Sequence, residues 1–338
     1  MYGFDTIEII AFIRQFGLAV SGAASLWGLV FIFYKHVGRQ AHSRHVVLDW
    51  ISWKMLIPFY VGLIASFVGW LIYESMLPLY AHEGIIIVPD IAEKIAAGVI
   101  TNPVYITWFV LNACAGIFVF VKREKTIGHL KIFFGTNLAF IFFLISLPAW
   151  VGGINYTQLF HIGHGFHSIF TFGTVVVLDF LFLLSFSSFL LKEHIYPLFP
   201  LISKVIWIGL GFDFLSVSLV FDDAIRLIPK FYFMQTVVGV LIINGILLSG
   251  PITRKLIESV SIGGKAISRK WRTFADIAGT ISVASWSSIT FIDFFEDIHL
   301  SYKQLLLCYG GLIIILLIGH RVWDIVNPFQ HEVVSIDE

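Results

Sequence analysis

The sequence predicts an all-α, polytopic membrane protein of about nine transmembrane helices, built as two parallel four-helix repeats plus one extra helix. Three observations predict this. Of 338 residues, 58% are hydrophobic and only 13% are charged, where a soluble domain carries roughly a quarter charged residues. The mean hydropathy is +0.88. The apolar residues are also gathered into runs of membrane-spanning length, separated by short polar segments.

About 20 apolar residues cross a hydrocarbon core about 30 Å thick. The runs that satisfy this are Ile7–Phe33, Ser52–Leu79, Pro103–Val121, Lys131–Gly152, Phe160–Leu191, Pro200–Phe221, Pro229–Gly250, Thr273–Phe294 and Lys303–Ile325. The first, second and fifth exceed the need, so tilt or protrusion is expected. The N-terminal residues Met1–Glu8 are short and acidic and lack the basic n-region of a signal peptide, so the first run is expected to be retained.

Loop charge gives the orientation. The segments after the first, third, fifth and seventh runs hold Lys35, Arg39 and Arg44; Lys122, Arg123 and Lys125; Lys192; and Arg254, Lys255, Lys265, Arg269, Lys270 and Arg272. The intervening segments are acidic or neutral on balance, with Asp5 and Glu8 before the first run and Glu296 and Asp297 before the last. The positive-inside rule then places the chain in a cell membrane with its N-terminus outside and its tail, Asn327–Glu338, in the cytoplasm.

The first eight runs divide into two copies of one unit. The third run of each copy holds an Asn followed ten residues later by a cation, Asn112 with Lys122 and Asn244 with Arg254. The second run of each starts near a Trp and a Lys, Trp53–Lys54 and Lys204–Trp207. An even number of helices per copy makes the repeat parallel. The expected divisions are residues 1–152, 153–294 and 295–338.

Several function classes are excluded. Lys plus Arg and Asp plus Glu both number 22, so no basic excess exists to displace counterions from nucleic acid. No GxxxxGK[ST], GxGxxG, GxSxG or HExxH pattern occurs, which removes nucleotide-driven and hydrolytic machinery. Cys114 and Cys308 lie inside apolar runs and read as buried small residues.

The densest candidate site is His161, His164 and His167 at the outer end of the fifth run. Spacings of three put neighbours about 5–6 Å apart on one helical face. Taking Val175 as the midplane, His167 lies about 12 Å from it, just inside the hydrocarbon edge. His299, His82, Met76 and Met234 are possible partners on that side, and imidazole and thioether both ligate haem or copper. Haem b is the expected cofactor and copper the alternative, with His164 and His167 as the metal pair. Interfacial histidines can also be solvated or can bridge helices. No pair of intramembrane histidines at matched depth on two helices is visible.

Two acids fall within runs, Asp213 near the middle of the sixth and Asp179 in the fifth. A carboxylate at such depth is protonated, paired or facing water, and serves a proton relay, a cation site, a quinone contact or an interhelical hydrogen bond. Asn112, Asn137, Gln235 and Asn244 read as amides joining helices.

Residues 161–293, with His167-Ser-Ile-Phe-Thr-Phe-Gly173, Asn244-Gly245 and Ser285-Trp286, resemble the four-helix membrane proteins of the copper-resistance D type and the related HemJ-type protoporphyrinogen oxidases. The N-terminal half is similar more faintly, and has Arg14 near where the second half has His164. The resemblance implies b-type haem or copper handling at the membrane. Three functions follow as expectations: a redox protein, with quinol as a candidate electron partner; a transporter built around Asp213; or a non-catalytic subunit beside other membrane subunits. A bound chromophore distinguishes the first, and flux sensitive to Asp213 the second.

Overall fold

A computed structural model describes residues 6–37, 42–82, 102–116, 127–152, 156–185, 189–219, 229–261, 268–294 and 300–326. These are helical almost throughout, and no strand occurs among them. The elements are α1 Thr6–Val37, α2 His42–Lys54, α3 Leu56–His82, α4 at residues 102–116, α5 Ile127–Gly152, α6 Tyr156–Ser168, a π turn Ile169–Gly173, α7 Thr174–Ser185, α8 Phe189–Ile195, a 3-10 turn Tyr196–Leu198, α9 Phe199–Leu219, α10 Pro229–Leu247, a second π turn Leu248–Ile252, α11 Thr253–Ser261, α12 Arg269–Phe294 and α13 Tyr302–Val326.

Seven stretches of the described helices are long and apolar enough to cross a bilayer. They present large apolar side chains outward, Leu307 at 75% exposure and Phe214 at 73% among them, which suits lipid and not water. The chain is a multi-pass integral membrane protein. Two expected spans are not among the seven. The run Pro103–Val121 is described only over residues 102–116, and α12 is diluted by Thr273, Asp276, Thr280, Ser282, Ser285, Ser287, Ser288 and Thr290. Cys114 and Cys308 are exposed. Their expected burial is therefore corrected: an apolar run in a membrane has an outward face that needs no protein cover.

The chain divides into two compact units, one of residues 1–177 with 205–220, the other of residues 178–204 with 221–338. In the first, α1 is the central helix and packs on α3, α5 and the first π turn. Its sequence explains this. Gly17, Ala19, Ser21, Ala23 and Ala24 are all buried small residues that let backbones approach. A methyl at Gly17 would collide with the Gly62 carbonyl and the Ser66 backbone nitrogen of α3, and one at Gly173 with the Ala19 carbonyl. Ser21 Oγ donates to the Phe59 carbonyl at 3.1 Å, while Trp27, Phe31, Phe59 and Phe134 fill the remaining space.

Amides complete this unit. Trp108 Nε1 donates to Asn137 Oδ1 at 2.8 Å, joining α4 to α5, and Tyr60 Oη donates to the Asn112 carbonyl at 3.1 Å. Asn137→Leu leaves the buried indole N–H without its acceptor. An expected loss of about 1–3 kcal/mol follows, read as a lowered unfolding midpoint in detergent, and Asn137→Asp, which keeps the acceptor, recovers part of it.

Three side-chain bonds tie the second unit. Asn244 Nδ2 donates to the Ala278 carbonyl at 2.8 Å, joining α10 to α12. The Ser285 and Tyr309 hydroxyls are 2.7 Å apart across α12 and α13, and those of Thr236 and Tyr302 are 3.0 Å apart across α10 and α13. Asn112, by contrast, gives its amide to the Trp108 carbonyl of its own helix.

Three breaks were not expected from hydropathy. The segment read as a basic loop contains α2, and the chain turns at Met55 before α3. Pro58 has no N–H for the Lys54 carbonyl, which interrupts the helix there. The fifth run is also not one regular helix, because the π turn at Ile169–Gly173 inserts a residue. Hydroxyls bond to carbonyls along it: Ser168 donates to the His164 carbonyl at 2.9 Å, Thr171 to the His167 carbonyl at 2.6 Å and Thr174, one carbonyl further back, to the Ile169 carbonyl at 3.1 Å. Each competes for a carbonyl that a backbone N–H serves in a regular helix. The second π turn has Pro251 inside it and Thr253 donating to the Leu248 carbonyl at 2.6 Å, the same bond to the fifth carbonyl back.

Candidate functional site

The site follows from where α6 ends. His167 is its penultimate residue and is 8% exposed. Its Nδ1 lies 3.1 Å from the carbonyl oxygen of Gly209 on α9. A carbonyl only accepts, so Nδ1 bears the proton, and in the neutral ring Nε2 is the basic nitrogen. Nε2 is 3.4 Å from the Thr171 hydroxyl, whose hydrogen is directed to the His167 carbonyl. Gly209 makes the approach possible, since a Cβ there would press on the Phe170 Cβ and on Thr171.

His164 is half-buried on the preceding turn, and its ring centroid is 5.8 Å from that of His167 with the planes 32° apart. The structure therefore brings these two rings to one side of α6, as the spacing of three requires. Ser168 links this turn to α1, with Gln15 Nε2 3.5 Å from Ser168 Oγ. An aromatic shell lies alongside. Phe170 stacks on Phe212 at 5.8 Å, Phe166 is 6.1 Å from Phe212, and Phe142 meets Phe166 edge-on at 4.9 Å. The backbone of His161 is in α6, but its side chain is outside the described set. His299 lies outside the described residues altogether, as does the side chain of Asp213.

Asp179 sits on α7 and belongs to the second unit. It is half-buried, and no hydrogen bond or ion pair engages it among the described residues. Among those residues no group of three or more His, Cys, Asp or Glu side chains is placed to hold a metal ion. The sequence reading did not single out Gly209, Trp27 or Thr174. Trp27 Nε1 donates to Thr174 Oγ1 at 3.2 Å, so one hydroxyl serves both the indole and the π turn. The available signal was a Trp and a Thr inside apolar runs, each of which must find a hydrogen-bond partner when buried but names none.

No family model matches the chain, no curated protein matches it, and no solved structure matches it.

Proposed function

We propose that the chain is a membrane redox protein of the copper-resistance D or HemJ kind, holding a b-type haem near the outer face through His167. The observation that carries this reading is the bond from His167 Nδ1–H to the Gly209 carbonyl. Metal-bound histidines usually donate the second ring N–H to a carbonyl or carboxylate, which fixes the ring and raises the basicity of the ligating nitrogen. His167 would therefore hold the haem through its Nε2, and it is the buried histidine that the described residues of the first unit offer. Bound there, haem supplies one-electron chemistry. The protein's part is to orient the imidazole through Gly209 and to keep water out with the Phe142, Phe166, Phe170 and Phe212 rings. Electrons would come from a quinol or another membrane subunit. Copper between His164 and His167 is the alternative occupant.

The proposal includes the finer topology. Residues 102–116 and α12 add two crossings to the seven apolar stretches, giving nine, with the N-terminus outside and the tail in the cytoplasm. The two four-helix units form a parallel repeat.

The test is a spectrum of the purified chain in mild detergent, oxidised and dithionite-reduced, with metal analysis. A Soret band with α and β bands on reduction is the expected result, lost by at least about tenfold in His167→Ala at equal folded protein. Bound copper without a chromophore moves the site to the His164–His167 pair. Absence of both, or full haem retention in the His164→Ala/His167→Ala variant, overturns the reading.

A further inference from the structure

A cavity of about 550 Å³ lies between α10 and α13 of the second unit. Tyr232, Gln235 and Thr236 of α10 and Tyr302 of α13 line it. No charged side chain stands among the described residues of its wall. Tyr232 and Gln235 are exposed, so the cavity is entered from the side of these helices.

The helices also set its depth. Pro229 starts one apolar stretch, Pro229–Ser259, and Tyr302 starts another, Tyr302–Gly319. At 1.5 Å per residue Gln235 lies about 9 Å along the first. The cavity therefore sits near the boundary between headgroups and hydrocarbon, where a ligand arrives in the plane of the bilayer. An amide left without a partner at such a place is costly.

The hydroxyl hydrogens on the wall are already assigned. Thr236 Oγ1 donates to the Tyr232 carbonyl at 2.9 Å. It lies 3.0 Å from Tyr302 Oη, and with its own hydrogen engaged it accepts there. Tyr302 therefore donates to Thr236 and keeps lone pairs for whatever enters the cavity. The Gln235 carboxamide makes no hydrogen bond among the described residues. The cavity thus offers an acceptor on α13 and N–H donors on α10. A hydroxyl uses both, giving its hydrogen to Tyr302 Oη and accepting one from Gln235 Nε2. An ester or ketone carbonyl has no hydrogen to give, and a phosphate or carboxylate brings a charge that this wall does not meet.

We propose that this cavity binds the hydroxyl-bearing head of a neutral, lipid-soluble molecule, held between Tyr302 Oη and the Gln235 carboxamide. Two sources share that chemistry, a quinol ring and the free hydroxyl of a diacylglycerol. The site is independent of the haem reading, and its test needs no chromophore.

The full-length chain is melted in detergent with two matched pairs of probes: dioctanoylglycerol against trioctanoylglycerol, and a decyl-substituted hydroquinone against its dimethyl ether. The hydroxyl-bearing member of a pair is expected to raise the midpoint at concentrations where its hydroxyl-free counterpart does not, and the pair that responds more strongly identifies the source. Tyr302→Phe and Gln235→Leu each weaken the apparent affinity by about fivefold, the worth of one net hydrogen bond. Tyr302→Phe also breaks the bond to Thr236, so its shifts are read from its own ligand-free midpoint. Gln235→Leu, at an exposed position, keeps the fold. No shift with either hydroxyl-bearing probe, equal shifts within both pairs, or a response unchanged in either variant overturns the proposal.

Discussion

Gly17→Ala is expected to disrupt the packing of α1 on α3, with a loss of about 3 kcal/mol or more. The added methyl has no side chain to push aside. It meets the Gly62 carbonyl oxygen and the Ser66 backbone nitrogen, so one helix must move. Overpacking relieved by side-chain rotation usually costs about 1–3 kcal/mol, and backbone against backbone exceeds that. The contact is reciprocal, since a methyl at Gly62 would sit 2.6 Å from the Gly17 carbonyl oxygen. Gly135 on α5 is the control. Nothing lies within 4 Å of a methyl there, so Gly135→Ala is neutral or gains about 0.5–1 kcal/mol from reduced chain entropy. Unfolding midpoints of both variants in one detergent check the contrast. Equal midpoints would mean that α1 and α3 do not approach as described.

Trp27→Ala comes next, at about 3–5 kcal/mol. The indole is fully buried, and α1 has small residues around it, so little can collapse into the void. It also holds Thr174 Oγ1, which in turn bonds the Ile169 carbonyl and closes the π turn. Trp27→Phe keeps most of the volume and loses only the hydrogen bond, for about 1 kcal/mol. Because the π turn starts two residues after His167, faster amide exchange over residues 169–174 is expected in both variants, larger in Trp27→Ala. If Trp27→Phe is as damaging as Trp27→Ala, the bond and not the packing dominates. A cycle with Thr174→Val separates the two.

The candidate site was partly legible in the sequence. Three histidines at spacings of three on an apolar run announce a shared helix face, and His164 and His167 do stand 5.8 Å apart. The partner of His167 was not legible. Gly209 contributes a backbone carbonyl, and a carbonyl leaves no mark on residue type. Its glycine signals close approach, but nothing in its neighbours says to what. Asn137 and Asn244 were readable as helix-joining amides, because a buried amide in an apolar run must find a partner. Whether the partner is Trp108 Nε1 on the adjacent helix or the Ala278 carbonyl on α12 depends on which helices meet.

Composition and run length alone determined that this chain is helical and lives in a bilayer. Unpaired backbone groups cannot be left in hydrocarbon, so long apolar runs have helix as their stable form. Tertiary structure alone decided the irregular places: the turn at Met55, the π turn after His167 and the α11 segment at the end of α10. Each lies where a proline withholds an N–H from the ladder or a hydroxyl bonds to one of its carbonyls, and hydropathy is blind to hydrogen bonds. Which small residues touch was equally hidden. Gly17 and Gly135 are the same residue in the same kind of run, and only the helix packed beside the first makes it irreplaceable.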